Sequence, residues 1–270
     1  MCVCISCDTG GSRLPDWLSP HVGATSVSGH ADRAANRDDV GGKTRDHEGA
    51  DRAARFAAQR LAERLDAPLI ENEFSPRLVD VGRSVGNRRL FPSQASEWIL
   101  SQGDGAVASR TRSLSWGKAD RTRLVEEIRT PYRKSIRQQI SRLMIRHPFV
   151  VHLSVRTFAA KYRGGHRRTD IGLGYEPGAA HEVAFCLDWI DELYDRMPMV
   201  RVRRNYPRRG TIDSVTRAMR RHFAGMPYLG IELQLNRAWA ARPVATRDRV
   251  LSGIASTLRG LTTLLQSEAA

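Results

Sequence analysis

Apolar and polar positions alternate with a period of two in two segments of the chain, 150–158 and 228–236. This alternation is typical of β-strands that bury one row of side chains and present the other to a polar space. The polar rows are His152, Ser154 and Arg156 in the first segment and Glu232, Gln234 and Asn236 in the second. Polar side chains on otherwise buried strands are costly unless they are paired or functional. The two rows therefore predict the floor of an active site.

The rest of the pattern alternates short strands with amphipathic helices. Further strands are expected at 2–6, 68–71, 78–81 and 199–202, and helices at 51–65, 130–146, 183–194, 213–223 and 250–265. Thr130 is expected to cap its helix, with Pro131 in the first helical position. Segments 21–46, 86–117 and 162–177 are expected to be loops. The alternation predicts an α/β fold with a mixed, mostly parallel sheet flanked by helices.

The length and charge of the chain bear on the number of domains and on the partners that can be expected. Its 270 residues suit one domain, 1–270, with a loop region at 21–46 and a C-terminal helix at 243–270. The formal net charge of +14 raises the question of nucleic acid. However, the basic residues are scattered and aromatic residues are not interleaved with them, so nucleic acid is not expected as a partner. No apolar run is long enough to span a bilayer and no secretion signal is recognised, so we expect a cytoplasmic protein without membrane contact.

Three of the four cysteines, Cys2, Cys4 and Cys7, cluster at the start of the chain. A zinc knuckle is one interpretation, but it needs a second pair of ligands and none follows at a suitable spacing. Cys2 and Cys4 alternate with apolar residues as buried strand residues do, so we expect them to be structural.

Eight short segments follow one another in a characteristic order. They lie at 5–11 with Pro15, 47–51, 77–84, 130–133, 151–158, 169–173, 205–207 and 228–236. Their order and spacing, from about Val3 to Trp239, resemble the N-formylglutamate amidohydrolase family. The resemblance implies a three-layer α/β fold like that of zinc-dependent carboxypeptidases, and a metal-assisted hydrolase that removes an N-acyl group, such as formyl, from an acidic amino acid.

That resemblance also implies a set of chemical roles. Zinc would polarise the amide carbonyl and lower the pKa of a bound water. A carboxylate would take the water's proton and return it to the leaving amine. Arginines would hold the substrate carboxylates. By resemblance, the metal candidates are Asp51 and His152, the substrate-binding candidates Arg83, Asn205 and Arg156, and the catalytic candidates Glu232 and Gln234.

The chain departs from the family pattern where this chemistry would occur. Asp8 and Thr9 stand where the family usually has an acidic residue and then His, and Arg156 stands where it usually has His. Gln234 replaces a Glu, and Gly82 replaces an Asn. Thr is a poor zinc ligand, and Arg156 would place a permanent cation where a dication should lie. We therefore expect the fold to be kept and the metal site to be weakened or lost.

Five of these candidates also have a structural interpretation. Asp51 lies at a helix start and suits an N-cap. His152 suits a hydrogen-bonded core histidine, and Arg83 a salt bridge with Asp80. Asn205 suits a turn beside Pro207. For Glu232, a structural role is expected in preference to the role of a general base.

Two histidines from other segments are kept as open candidates. His47 is either exposed or a contributor to metal or substrate binding, and His30 is a potential replacement ligand from the 21–46 region.

Two functions remain open on the sequence alone. The first is a hydrolase of N-acyl (N-formyl) acidic amino acids whose degenerate metal site reduces or abolishes activity. The alternative is a non-catalytic protein that keeps the cleft and binds an anionic small molecule through Arg83 and Arg156.

Overall fold

A six-stranded sheet forms the centre of the protein in the computed structural model, which describes residues 1–21, 50–92 and 116–268. In chain order the strands are β1 (Val3–Cys7), β2 (Leu69–Glu71), β3 (Val150–Phe158), β4 (Lys161–Tyr162), β5 (Gly165–His166), β6 (Ile171–Gly174), β7 (Val202–Arg204) and β8 (Tyr228–Asn236). The order across the sheet is β2-β1-β3-β8-β6-β7, and β4 and β5 form a separate antiparallel pair. Strands β2, β1, β3 and β8 run parallel to one another. Strands β6 and β7 are parallel to each other but antiparallel to the other four.

The helices cover both faces of this sheet. They are a 3₁₀ helix (Asp16–His21), α1 (Arg52–Leu65), α2 (Lys118–Leu124), a π-helical turn (Val125–Arg129), α3 (Thr130–Met144), α4 (Ala180–Arg196), α5 (Val215–His222), α6 (Arg237–Ala240) and α7 (Val244–Glu268). One core joins α1, α4 and α7 to the face that carries Ile5, Leu153 and Ile231. A second core joins α3 and α5 to the opposite face, through Cys4 and Val150. The predicted three-layer fold is therefore confirmed.

The expectation that Thr130 caps its helix is wrong, although α3 begins at this residue. Thr130 has α-helical torsion angles and continues a helical run from Lys118, through the π turn, to Met144. Its N–H bonds to the carbonyl of Val125, five residues back. A π turn of this kind accommodates Pro131, which has no N–H of its own to complete the regular ladder.

The expected loop at 162–177 is also wrong, because it contains the β4–β5 pair and the buried strand β6. Two of the four residues of β6 are glycine, which weakens a strand signal. At Gly172 the reason is a close approach, since a Cβ there would lie 1.7 Å from the carbonyl oxygen of Tyr206.

Two further strand predictions need correction. Segment 78–81 forms turns, although Leu78, Val79 and Val81 are buried, because they pack into the second core rather than into the sheet. The strand expected at 199–202 is found at Val202–Arg204. The predicted loop 21–46 lies almost wholly outside the described residues.

The cysteines occupy the core, as the structural interpretation predicts. All four are buried and none forms a disulfide. Burial raises the pKa of Cys4 to about 12, so the thiol is protonated at neutral pH. Within the described residues, no helix has the length and apolar character needed to cross a bilayer.

Candidate functional site

The carboxyl ends of three parallel strands meet at one edge of the sheet. Asp8 follows β1, Arg156 lies near the end of β3, and Gln234 lies opposite Arg156 in β8. In open α/β sheets this edge is where ligand clefts form. The polar face of the sheet at this edge is turned towards α3 and α5, because it continues the row of Cys4 and Ser6.

Arg156 is the centre of a buried charge cluster. Its guanidinium donates from Nη2 to Oδ2 of Asp8, and both side chains are almost fully buried. Glu232 and Asp80 also interact electrostatically with Arg156. We call Arg156, Asp8, Asp80 and Glu232 the Arg156 cluster. It gathers three carboxyl groups around one guanidinium.

The cluster perturbs the ionisation of its members. Burial raises the pKa of Asp8 above its ordinary value although the neighbouring Arg156 opposes the shift. Burial also acts to lower the pKa of Arg156, but Asp8, Glu232 and Asp80 more than offset it, so the pKa of Arg156 is raised. Arg156 is therefore a permanent cation at this position.

Gly82 makes room for that guanidinium. A Cβ at residue 82 would lie 2.7 Å from Nη2 of Arg156 and 2.8 Å from Oδ2 of Asp8. It would also lie 3.0 Å from Oδ1 of Asp80. Any side chain here would push against the ion pair, so the glycine and the arginine fit one another.

The backbone around Gly82 is clamped by two arginines from the α3 side. Arg133 donates to the carbonyls of Val81, Gly82 and Arg83, and Arg129 donates to the carbonyl of Arg83. Burial and then the adjacent Arg129 lower the pKa of Arg133 to about 10. These contacts hold the loop in place against the Arg156 cluster.

The predicted catalytic pair, Glu232 and Gln234, lies on this polar face. The buried carboxylate of Glu232 accepts from the hydroxyl of Thr216 at 3.2 Å. Gln234 donates from Nε2 to the carbonyl of Arg208 at 3.2 Å. Glu232 supplies a carboxylate near Arg156, whereas the neutral amide of Gln234 cannot act as a general acid or base.

His152, a predicted metal candidate, is fully buried between two hydroxyls. Its Nε2 lies 2.8 Å from Oγ of Ser6, and its Nδ1 lies 2.7 Å from the hydroxyl of Tyr228. Burial, with a smaller effect of Arg220, lowers the pKa of His152 to about 3. The ring is thus neutral with both nitrogens hydrogen bonded, which matches the structural interpretation.

Asp51, the other metal candidate, is also fully engaged. Its Oδ1 accepts from the N–H of Ala54 as the N-cap of α1. Its Oδ2 accepts from the hydroxyl of Thr157 at 2.6 Å and from the Thr157 N–H at 3.2 Å. Thr157 and His152 are five residues apart in β3, about 16 Å along the strand. Their side chains also point to opposite faces, so the structure does not bring Asp51 and His152 together.

Two substrate-binding candidates have internal partners. Arg83 donates to Oδ2 of Asp80 at 3.1 Å and to the carbonyl of Asp213 at 2.9 Å. The Oδ1 of Asn205 accepts from the N–H groups of Tyr175 and Gly210 and shapes the turn after β7. Arg83 borders the Arg156 cluster through Asp80, whereas the Asn205 side chain is used by the turn.

The donor set around this edge does not fit a zinc ion. Arg156 occupies the polar face with its charge, and the oxygens of Asp51 and nitrogens of His152 are already bonded. Among the described residues no group of three or more His, Cys, Asp and Glu is arranged to hold a metal. His47 and His30 lie outside the described residues. We therefore derive no catalytic step through a metal.

Several buried polar atoms at this edge lack a hydrogen-bond partner within the described part of the chain. They are Oδ1 of Asp8, Oγ1 of Thr9, Oγ of Ser154 and Nε of Arg156. Buried polar groups are rarely left unpaired, and each exception calls for an explanation. This set contains both donors and acceptors, and it lies around the Arg156–Asp8 pair.

Sequence reasoning missed the residues that hold this edge from the helical side. Asp213 accepts from the N–H and hydroxyl of Ser84 and from the amide of Asn87. Burial raises its pKa, but these hydrogen bonds more than offset that effect and the pKa of Asp213 is lowered. The Asp213-Ser214 pair before α5 is a recognisable helix-start signal, yet its long-range partners in 84–87 are visible only in the folded chain.

A sequence model described as N-formylglutamate amidohydrolase (FGase) matches residues 18–237. No curated protein matches the chain.

Two solved structures share the fold. One is the gene product Atu2144 from Agrobacterium tumefaciens, with a TM-score of 0.66 and 18% identity over 99% of this chain and 91% of that one. The other is an N-formylglutamate amidohydrolase from Ralstonia eutropha JMP134, with a TM-score of 0.63 and 14% identity over 97% of this chain and 94% of that one. At these identities the structural likeness concerns the fold alone.

Proposed function

The chain belongs to the N-formylglutamate amidohydrolase family, and on that premise we propose that it is a member whose metal centre has been replaced by the guanidinium of Arg156. It recognises an N-acylated acidic amino acid, such as N-formylglutamate, and its metal-dependent hydrolysis is reduced or abolished. The observation that carries this proposal is the buried Arg156–Asp8 ion pair at the carboxyl edge of the sheet.

Charge balance supports the replacement. A dication surrounded by carboxylates is a stable arrangement, and here Asp8, Asp80 and Glu232 surround a cation of fixed charge. Gly82 leaves space for the larger guanidinium. Both changes act together, because the arginine needs the volume that a side chain at residue 82 would fill.

With Arg156 in place of a metal ion, the site is suited to binding a substrate rather than to activating a water molecule. A guanidinium donates hydrogen bonds to carboxylate or carbonyl oxygens but does not lower the pKa of a bound water towards neutrality as zinc does. Nε of Arg156 and Oδ1 of Asp8 have no partner among the described residues. Within the described chain, they are one unpaired donor and one unpaired acceptor at the buried edge of the sheet.

A non-catalytic binding protein is the second candidate, favoured by the cations at this edge. The electrostatic neighbours of Arg208 include Arg156 and Arg83, so three guanidiniums approach the same region. Clustered arginines of this kind hold carboxylates or other small anions.

Metal analysis tests the proposal. The purified protein, after expression with added zinc, is expected to carry far less than one zinc per chain. The double variant Thr9→His with Arg156→His restores two imidazoles at the resembling positions and is expected to raise the zinc content. A matched control, Thr263→His with Arg249→His, makes the same exchange at two exposed positions of α7 and is expected to leave it unchanged. Stoichiometric zinc in the parent protein would refute the replacement. An unchanged zinc content in the Thr9/Arg156 variant would show that the site is misplaced.

Ligand binding separates the two candidate functions. Calorimetric titration with N-formylglutamate, with glutamate as the reference compound, is combined with an assay for released formate. Binding without formate release supports the non-catalytic function, and metal-independent release supports a residual hydrolase. The absence of both binding and turnover would contradict recognition of this substrate class.

A further inference from the structure

A basic groove runs between α3 and α5 on the outer side of the molecule. Its lining combines Arg137, Lys134 and Arg142 of α3 with Arg221 and His222 of α5. Two adjoining depressions of about 390 and 440 Å³ form it, and both are bordered by Arg137 and His222. Neither helix contains an Asp or a Glu.

The cations of this groove fall into two groups: those that bond to the protein backbone, and those without an ion-pair partner among the described residues, which we call the available cations. Arg129 and Arg133, at one end, bond to backbone carbonyls of residues 81–83. Lys134, Arg137 and Arg142, in contrast, form no ion pair within the described residues, and the same holds for Arg221. Lys134, Arg142 and Arg221 are exposed and Arg137 is half-buried, and all four line the two depressions.

Such an arrangement carries an electrostatic cost for the free protein. Like charges repel, and no carboxylate of either helix offsets them. A concave surface lined by one sign of charge focuses the potential and attracts anions. The polar side chains of Thr130, Gln138 and Ser141 add hydrogen-bond donors to the lining.

The scattered basic residues of the sequence argue against a nucleic-acid partner, but α3 and α5 bring several of them together. Contrary to that expectation, we propose that this groove binds the phosphate groups of a nucleic-acid strand through its backbone, without reading the bases. The cations span the helix axis from Lys134 to Arg142, about 12 Å, which is long enough for several phosphates rather than one. Of the described lining residues, His222 is the one with a ring, so base stacking on Phe, Tyr or Trp is not provided. Contacts to phosphates position a strand but carry no sequence information.

The shape of the surface distinguishes this partner from an anionic membrane. A membrane-binding surface presents protruding apolar side chains beside its cations. Here the apolar lining is Ala218 and Met219, and Met219 is buried. The cations line two shallow, open depressions, which can admit an extended strand.

Fluorescence anisotropy with a labelled oligothymidine of about 16 nucleotides tests the proposal. The parent protein is expected to bind with an affinity that falls steeply with salt. The triple variant Arg137→Gln, Arg142→Gln, Arg221→Gln is expected to bind on the order of 100-fold more weakly near 0.1 M salt and to lose about 2 from the log–log salt slope. A labelled oligoadenine of the same length is expected to bind with similar affinity.

A charge-matched control keeps the test specific. The variant Arg88→Gln, Arg196→Gln, Arg249→Gln removes the same charge at three exposed positions outside the groove. It is expected to retain the parent affinity within about twofold, because net charge alone does not create a site. Equal weakening in both triple variants overturns the proposal, as does a parent protein that binds anionic phospholipid vesicles but not the oligonucleotide. Circular dichroism of each variant verifies the fold, and its retention is expected because the positions are exposed or, for Arg137, half-buried.

Discussion

Replacing Arg156 by Met isolates the role of the buried cation. Methionine has a similar reach but no charge, so Asp8, Asp80 and Glu232 would remain without the cation they surround. Breaking a buried ion pair by removing one partner costs about 3–5 kcal/mol of unfolding free energy. The Arg156–Asp8 pair is among the most buried in the described chain, so we expect a loss in this range at neutral pH.

The loss is expected to depend on pH in a defined direction. Burial already raises the pKa of Asp8, and removal of the guanidinium raises it further. A carboxyl whose pKa is higher in the folded than in the unfolded state destabilises the folded state once the pH exceeds the unfolded value of about 4. The penalty grows as the pH rises towards the folded pKa and disappears below the unfolded one. The deficit of Arg156→Met should therefore be greatest at neutral pH and smallest near pH 4.

Urea unfolding of the parent and variant between about pH 4 and pH 8 measures this deficit. The double variant Asp8→Asn, Arg156→Met should recover part of it, because no charge is then left unpaired at that position. The exposed Arg249→Met serves as the control and should change stability by no more than about 0.5 kcal/mol. A deficit below about 1 kcal/mol at neutral pH, or one that does not vary with pH, would show that the guanidinium is not balancing these carboxylates.

Three further predictions concern other contacts. Gly82→Asn should destabilise the protein by about 1–3 kcal/mol through overpacking. The loss should be clearly smaller in an Arg156→His background, because a Cβ at residue 82 would lie 2.7 Å from Nη2 of Arg156. Additive effects in a double-mutant cycle would contradict the steric fit between Gly82 and Arg156. His152, with a pKa of about 3, should make unfolding free energy fall as the pH drops below the unfolded value of about 6.5, by up to about 3 kcal/mol near pH 4. His152→Gln should remove that share of the slope, and parallel pH profiles from urea unfolding would argue against it. Asp51→Ala should cost about 2 kcal/mol in thermal unfolding, since it removes the helix cap and the bonds to Thr157; an unchanged melting temperature would exclude this role.

Much of the architecture could be predicted from local patterns. Strand β3 is recognisable because its polar row alternates with a continuous apolar row, and α1 because its apolar stripe follows Asp51. Strand β6 was not predicted because Ile171–Gly174 is short and half glycine. The need for glycine at residue 172 is visible only in the folded chain, where the carbonyl of Tyr206 leaves no room for a Cβ. Thr130 and Pro131 have the residue types that favour a helix start. In the structure, however, the π turn at Val125–Arg129 continues directly into them, so Thr130 does not act as a cap.

For the candidate site, the chain reveals the substitutions but not their consequences. The family resemblance singles out Arg156, Gly82 and Gln234 as expected departures from the family's pattern. Nothing local shows that Arg156 reaches Asp8, 148 residues earlier, or that Gly82 receives its guanidinium. The partners of Asp51 and His152 are equally remote in sequence.

The sequence by itself determined the strand and helix periods, the layered α/β class, the family resemblance and the residue types available at the edge of the sheet, because each of these depends on local spacing or on side-chain chemistry. Only the tertiary structure decided which carboxylate meets Arg156, which groups already bind Asp51 and His152, and that the cations of α3 and α5 line one groove. The physical reason is that side-chain partners are selected by packing across the sheet, where distance in space is independent of distance along the chain.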